Sequence, residues 1–529
     1  MTLVAATLVL YLATMPPSLS LGWQGKGSDG GELLAAAETL GIPHPPGYPT
    51  YTLLLKGFAT VVPIGDFAFR GNLLSAILAA TSVLAVYWVT LRVCRTLVPE
   101  ASEWFSVVSA ALGGAVFASS PLLWSQAIIT EVYALNAAFA GILLLIAAVL
   151  ALHLPFVRPR SKWRDGLLLA SFGLLLGVGL GNHLTLLAVA APLVVWIWLA
   201  RGWRKVISPW LIVSFLAGIS VYAYLPIRAS QGPPINWGGA DTFDGIVWML
   251  TARPYQEYVF GIATDSIPGR LVQWMELIFD QFNPLGLFFG LVGAVPLLAL
   301  VRPLFISTLA SMLIVSVYAT MYNSIDSEVL MIPALLLFSV WVGTGLFWIM
   351  ASWIRDFEGE WNILARWKVP TSVAHQAVLL SMLAFLFLPV VAVALNYGTQ
   401  DLSGDRTVSD RARALLEAAP DGSVLLSTRE RTLFPLWYAR YVDRPERDVA
   451  VIAVPLLQFD WYLDDIHEMF PDRIPEIHTT DIREIVRLIV EHNEGRAGVY
   501  FTYTSGNLFE DFQLTSDGTL YEAKPKLLP

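Results

Sequence analysis

Cysteine and charge are both scarce in this chain. Of 529 residues only Cys94 is a cysteine, and 14% are Asp, Glu, Lys or Arg. A lone cysteine excludes an intramolecular disulfide framework and any Cys-rich zinc site. Soluble domains carry about 25% charged residues, so the deficit excludes a disordered or ordinary cytosolic protein. Basic residues are outnumbered 33 to 42, for a formal charge of −9, which excludes a generally basic nucleic-acid binder. Internal repeats and low-complexity tracts are missing as well. The want of inverted repeats weighs against a secondary transporter. No Asn-x-Ser/Thr sequon occurs, which fits a prokaryotic plasma membrane.

Apolar residues are abundant instead. They make up 56% of the chain, with 19 Trp, 18 Tyr and 27 Phe, and the mean hydropathy is +0.60. A helix crossing about 30 Å of hydrocarbon needs about 20 mainly apolar residues. That ruler predicts a polytopic α-helical membrane protein with about eleven transmembrane helices. They fall near 2–20, 73–93, 104–123, 137–156, 166–181, 184–200, 207–226, 284–301, 303–322, 329–353 and 374–396. The first has no basic n-region or small-residue cleavage site, so it reads as a membrane helix and not a signal peptide.

Lys and Arg set the orientation, because they are retained on the cytoplasmic side. One set of connections holds thirteen: Arg92, Arg95, Arg158, Arg160, Lys162, Arg164, Arg201, Arg204, Lys205, Arg302, Arg355, Arg366 and Lys368. The opposite set, without the tail, holds six in longer loops: Lys26, Lys56, Arg70, Arg228, Arg253 and Arg270. The N-terminus is expected inside and the C-terminal tail outside. Cys94 then lies at the reducing cytoplasmic face. Residues 1–396 read as a transmembrane domain with outer loops 21–72 and 227–283, and shorter outer hairpins at 124–136 and 323–328. Chemistry is expected on the outer face.

Residues 397–529 change composition and read as a small extracytoplasmic α/β domain. Helical spacing covers 408–418 and 482–493, while GSVLLS, DVAVIAVPLL and AGVYFTYT read as buried strands. No phosphate loop, nucleophile elbow or HExxH occurs there. The catalytic candidates therefore gather before residue 260.

The first outer loop holds Asp29 and Glu32, three apart and on one face of any helix they start. One reading is structural: Asp29 as N-cap, Glu32 completing a capping box, Gly41 as the stop, and HPPGYP as a rigid turn. The other is chemical. An ionised carboxylate at the outer interface can take a proton from an attacking hydroxyl, and His44, Tyr48, Lys56 and Arg70 could contact a phosphate or sugar.

The blocks DGGELLAAAETLGIPHPPGYPTYTLL, RGNLLSA, WSQAIITEVYALNA, GLGNHLTLL and LPIRASQGPPINWGGADTFDGIVWMLTARPY occur in order over about residues 20–260. In this the chain resembles the protein O-mannosyltransferase family typified by transmembrane protein 260, within the polyprenyl-phosphate-sugar-dependent glycosyltransferases of superfamily C. The resemblance implies a superfamily C-like fold and inverting transfer from a polyprenyl-phosphate sugar to an extracytoplasmic acceptor. Asp29 matches the family's catalytic acidic position, with Glu32 beside it. The leaving phosphate needs stabilising, and His44, Arg70, His183, Arg228 and Arg253 are the candidates. No paired acidic motif like that of oligosaccharyltransferases is found, so neither a metal nor another cofactor is expected.

The remaining blocks keep two readings each. Glu131 and Tyr133 are an interfacial cap or an acceptor and sugar contact. His183 is a polar corner after small packing residues or a site residue. Arg228 snorkels or binds phosphate. Trp237 anchors the interface or stacks on the sugar. Asp326 and Glu328 are solvated loop charges or a second acidic patch. The expected function is transfer of a hexose, mannose by precedent, to protein Ser/Thr hydroxyls. Transfer to a lipid or cell-wall glycan is the alternative acceptor, and a flippase of lipid-linked sugars is the rival class. The expected partners are the bilayer, the lipid-linked sugar and the acceptor, with no nucleic acid.

Overall fold

The computed structural model describes residues 1–25, 27–152, 161–357, 371–504 and 507–526. Lys26, Arg158, Arg160, Arg366 and Lys368, all part of the charge count, lie outside the described residues. Among the described residues seven helices are long and apolar enough to cross a membrane. There are eight if α5 (Glu103–Ala118) and α6 (Pro121–Ala127), bent by 69° from each other, count as one broken span. The chain is a polytopic helical membrane protein.

Helix α1 (Thr2–Thr14) corrects the first expected span. It has 13 residues and so rises about 20 Å, short of the hydrocarbon thickness. Pro16 and Pro17 follow at once and block its continuation. Helix α4 (Phe67–Leu97) is longer than expected, because the Asp66 carboxylate accepts from the Phe69 N–H at 2.7 Å and starts the helix early. Helices α7 (Tyr133–Ala151), α8 (Lys162–Leu180) and α9 (Leu186–Arg201) follow. Next come Pro209–Ala229, Arg302–Met321 and Ser327–Ser352. Ile267–Leu300 is broken at Asn283 (φ 48°, ψ 172°), so residues 267–282 add a helix inside what reads as loop. Thr371–Gln400 closes the series. Ser327–Ser352 is nearly enclosed by other helices, whereas Pro209–Ala229 presents most of its apolar surface outward, as a lipid-facing helix does.

From Thr407 onward the chain forms a five-stranded sheet in the order β2-β1-β3-β5-β4. Strands β1 (Val424–Ser427), β2 (Ala450–Ala453) and β3 (Val499–Phe501) are parallel. Strands β4 (Phe512–Ser516) and β5 (Tyr521–Pro525) add an antiparallel hairpin. DVAVIAVPLL gives only four strand residues, since Pro455 lies in a 3-10 turn that ends the ladder. Between the strands lie the helices Glu430–Tyr438 and Asp460–Met469, which hydropathy alone did not reveal.

Two apolar cores meet at one short helix, α2 (Gly30–Thr39). Its Leu33, Leu34 and Ala37 enter the core of the membrane helices. Ala35 and Ala36 enter the core that holds the tail's sheet together with Ile42, Ile235, Trp237 and Met249. Both faces of α2 are buried, so small residues serve where a surface helix would be polar. The tail therefore packs directly on the helix that carries the candidate carboxylates.

Candidate active site

Asp29 stands at the N-cap position of α2, but its side chain caps nothing. Ser28 Oγ donates to Asp29 Oδ1 at 3.1 Å. The two glycines that follow are packing requirements. A Cβ on Gly30 would lie 2.9 Å from Thr130 O, and one on Gly31 would lie 2.4 Å from Phe434 O. The DGGE sequence thus lets the 128–132 segment and the tail close on the start of α2.

Glu32 does not complete a capping box. Its carboxylate turns to the proline turn that follows, where it accepts from the His44 backbone N–H at 3.3 Å and from His44 Nδ1. It is fully buried. On the ring's other side, His44 Nε2 lies 3.1 Å from Tyr48 Oη and 3.7 Å from Asp29 Oδ2. Burial disfavours the imidazolium, yet the Glu32 and Asp29 charges override it and push His44 up to about 10. His44 is a cation at neutral pH. Asp29 keeps a quarter of its side chain exposed but is recessed. Lost hydration first, then the charges of Glu32 and Asp326, raise its pKa, while His44 and Ser28 pull it back. A carboxylate of raised basicity in reach of solvent is suited to accept a proton.

Aromatic rings wall the imidazole. Trp237, Tyr255 and Phe434 stand 6.2, 5.9 and 6.5 Å from it by ring centroids, Phe434 within 6° of parallel. Tyr48 lies 6.3 Å from His183, and Tyr133 lies 5.7 Å from it. Burial, with His44's charge in addition, pushes His183 down to about 4, so it is neutral. Its Nδ1 is 2.8 Å from Thr185 Oγ1. Glu131 is buried and accepts a hydrogen bond from the Asp29 backbone, while its Oε2 has no partner. Burial first, then Asp29 and Asp326, raise its pKa. Asp326 is thus a site charge more than a solvated loop residue.

Two arginines expected near phosphate are engaged elsewhere. Arg70 donates to the carbonyls of Ala59, Ile64 and Gly65, closing the end of α3 (Pro49–Val61). Arg228 donates to Leu40 O at 2.6 Å and Thr39 O at 3.2 Å, closing the end of α2. Cations at helix C-termini satisfy carbonyls that have no partner within the helix. The left-handed residue there is Leu40 and not Gly41; a Cβ on Gly41 would lie 2.5 Å from Ile235 O. Lys56 pairs with Glu38 at 3.0 Å. Arg253 is exposed, two residues before Tyr255.

Asp29, Glu32, His44, Tyr48, Glu131, Tyr133, His183 and Trp237 are brought together, and Arg70 and Arg228 are not. Sequence reading missed Tyr255 and Phe434, and left Asp326 between a solvated loop charge and a second acidic patch. Tyr255 ends the TARPY block and could have been singled out there. Nothing local marks Phe434, which comes from the tail, whereas the candidates read from the sequence gather before residue 260. Among the described residues no group of three or more His, Cys, Asp or Glu is arranged to hold a metal ion.

Comparison with known proteins gives two family matches. Residues 29–207 match the protein O-mannosyl-transferase TMEM260 N-terminal domain, and residues 408–480 match TMEM260-associated domain 2. The protein O-mannosyl-transferase tmem260 of Dictyostelium discoideum is 23% identical over 500 residues, 86% of this chain and 57% of that protein. TMEM260 of Mus musculus is 24% identical over 486 residues, covering 88% and 64%. The chain thus spans less than two thirds of the length of these relatives. In structure, it resembles ArnT from Cupriavidus metallidurans bound to undecaprenyl phosphate, at a TM-score of 0.59, 12% identity, and 99% and 97% coverage. The apo form of ArnT gives a TM-score of 0.57. The fold is shared with ArnT.

Proposed function

We propose that the chain, which is similar to the TMEM260 proteins over residues 29–207 and 408–480, is an inverting membrane glycosyltransferase. It moves a hexose, mannose or a close relative, from a polyprenyl-phosphate donor to Ser/Thr hydroxyls of extracytoplasmic proteins. The observation that carries this reading is the recessed Asp29 carboxylate, 3.7 Å from an imidazolium that Glu32 holds. A single displacement needs a base beside the acceptor hydroxyl and positive charge near the leaving phosphate. Asp29 takes the hydroxyl proton as its oxygen bonds to the sugar's anomeric carbon. The bond from that carbon to the phosphate oxygen breaks, and the lipid phosphate leaves with the electron pair.

Burial raises the proton affinity of Asp29, and the charge of His44 offsets part of that rise. Arg253 is the exposed cation for the leaving phosphate, and neutral His183 supplies hydrogen bonding only. No metal is needed in this scheme, since His44 and Arg253 bring the positive charge. The membrane helices lie in the plasma membrane of a prokaryote, with the N-terminus inside and the tail domain outside.

The test is reconstitution in liposomes with a labelled polyprenyl-phosphate mannose and a Ser/Thr-rich peptide, with and without EDTA. The expected product is a glycopeptide of inverted anomeric configuration, formed in either condition. Label appearing on lipid or glycan alone would move the acceptor to the alternative class. Donor crossing the bilayer without transfer would identify a flippase.

A further inference from the structure

A cavity of about 1180 Å³ lies beside the carboxylate–imidazole cluster but does not include it. Pockets for small ligands run to about 1,000 Å³, so this space holds more than one sugar ring. Its lining comes from the C-terminal end of the last membrane helix (Leu395–Gln400), the loop around Ile325–Met331, and the helix over 267–282. On that helix Arg270, Gln273, Glu276 and Asp280 share one face toward the cavity. Leu271, Val272 and Met275 lie on another and are exposed, as in a helix resting in the bilayer interface.

Three features of the lining select an occupant. The first is charge: Asp265, Glu276 and Asp280 line it, with Arg270 as the one cation among the described residues of the lining. A surface of that sign repels a lipid phosphate and attracts a neutral or basic group. The second is Gln400, which is 1% exposed while neither Nε2 nor Oε1 has a hydrogen-bond partner. A buried amide left without partners is costly, and another amide satisfies its donor and its acceptor together. The third is Trp274 beside it, whose indole N–H also has no partner.

The cavity and the base flank the same loop. Ile325, Ser327 and Glu328 line the cavity, and Asp326 between them acts on the Asp29 charge. Trp23, six residues before Asp29, lines it too. Resting on the transfer reading above, we propose that this cavity seats the acceptor as an extended polypeptide segment, uncharged or basic. A backbone amide of that segment pairs with Gln400 while its hydroxyl reaches Asp29. The donor phosphate is held elsewhere.

Binding tests this without requiring turnover. The purified full chain is titrated with three labelled Ser/Thr peptides: uncharged, lysine-flanked and aspartate-flanked. The lysine-flanked peptide should bind at least about tenfold more tightly than the aspartate-flanked one at low salt. Gln400→Leu should weaken the uncharged peptide by about tenfold and leave donor-lipid affinity unchanged. Glu276→Gln with Asp280→Asn should shrink the charge preference; both side chains are exposed, so this variant serves if Gln400→Leu does not assemble. Equal binding of all three peptides, or donor affinity moving in place of peptide affinity, would overturn the assignment. Expected binding without any transfer would sink the transferase reading and keep this one. Transfer with peptide affinity untouched by these changes would do the reverse.

Discussion

Glu32 and His44, twelve residues apart, are joined twice. One carboxylate oxygen takes the His44 backbone N–H and the other takes Nδ1. This fixes the ring's position and orientation, and leaves Nε2 facing Tyr48 and Asp29. Helix α2 and the proline turn after it become one rigid unit, with the base at one end and a cation beside it.

Asp29→Asn separates folding from chemistry. Asparagine suits the N-cap position about as well as aspartate, and the Ser28 hydrogen bond can persist. Turnover should fall at least about a hundredfold, the usual worth of a positioned base, while donor binding is kept. Near wild-type turnover in purified variant would place the base elsewhere, with Glu131 the next acid to examine.

His44 links stability to pH. Its folded pKa, about 10, stands above the ordinary 6.5, so its protonated form stabilises the native state. That contribution is full below pH 6.5 and is lost as pH rises through about 10. The melting temperature should therefore decline over this window, and His44→Gln should flatten the decline. Glu32→Gln removes the larger of the two charges holding the proton, so the alkaline limb of the rate profile should move to lower pH.

Arg228→Ala distinguishes a helix clamp from a phosphate ligand. Losing the hydrogen bonds to Leu40 and Thr39 should cost roughly 2 kcal/mol, as for bonds from a charged donor, and lower the melting temperature. KM for the donor lipid should stay within about twofold, since Arg228 lies outside the reacting groups in the proposed scheme. A donor KM raised tenfold or more with unchanged melting would restore the phosphate role.

Gly31→Ala probes the seam with the tail. The new methyl would lie 2.4 Å from Phe434 O, so the helix Glu430–Tyr438 must shift, at about 1–3 kcal/mol for an overpacked contact. Limited proteolysis should then cut the tail faster, and transfer should fall with it. Gly57→Ala is the control, because a Cβ there meets nothing within 4 Å. Equal behaviour of the two variants would mean that the seam does not matter.

Orientation is checked with a reporter active only outside the cell. Fusion after Tyr397 should be active and fusion after Gly202 silent, as the basic residues on the opposing connections demand. The inverse pattern would overturn the orientation read from the basic residues.

Much of the architecture was legible because it depends on short-range properties. Hydropathy summed over a window marks Phe67–Leu97 or Tyr133–Ala151 wherever their neighbours lie. Short apolar runs likewise mark β1 and β3 in the tail as buried strands. The Asp29–Glu32 pair was visible too, but its role was not, because one spacing serves both a capping box and a pair of acids around a distant ring. Which of these forms depends on HPPGYP folding back over α2. Arg70 and Arg228 were unreadable for a related reason: a guanidinium binds whichever acceptors packing brings near, here helix ends 11 and 188 residues away in sequence. Tyr255, Asp326 and Phe434 reach the site from three separate parts of the chain, as the two cores close on α2. Composition and periodicity are properties of neighbouring residues, whereas a hydrogen-bond partner or an electrostatic neighbour is decided by segments remote in sequence that share one buried volume.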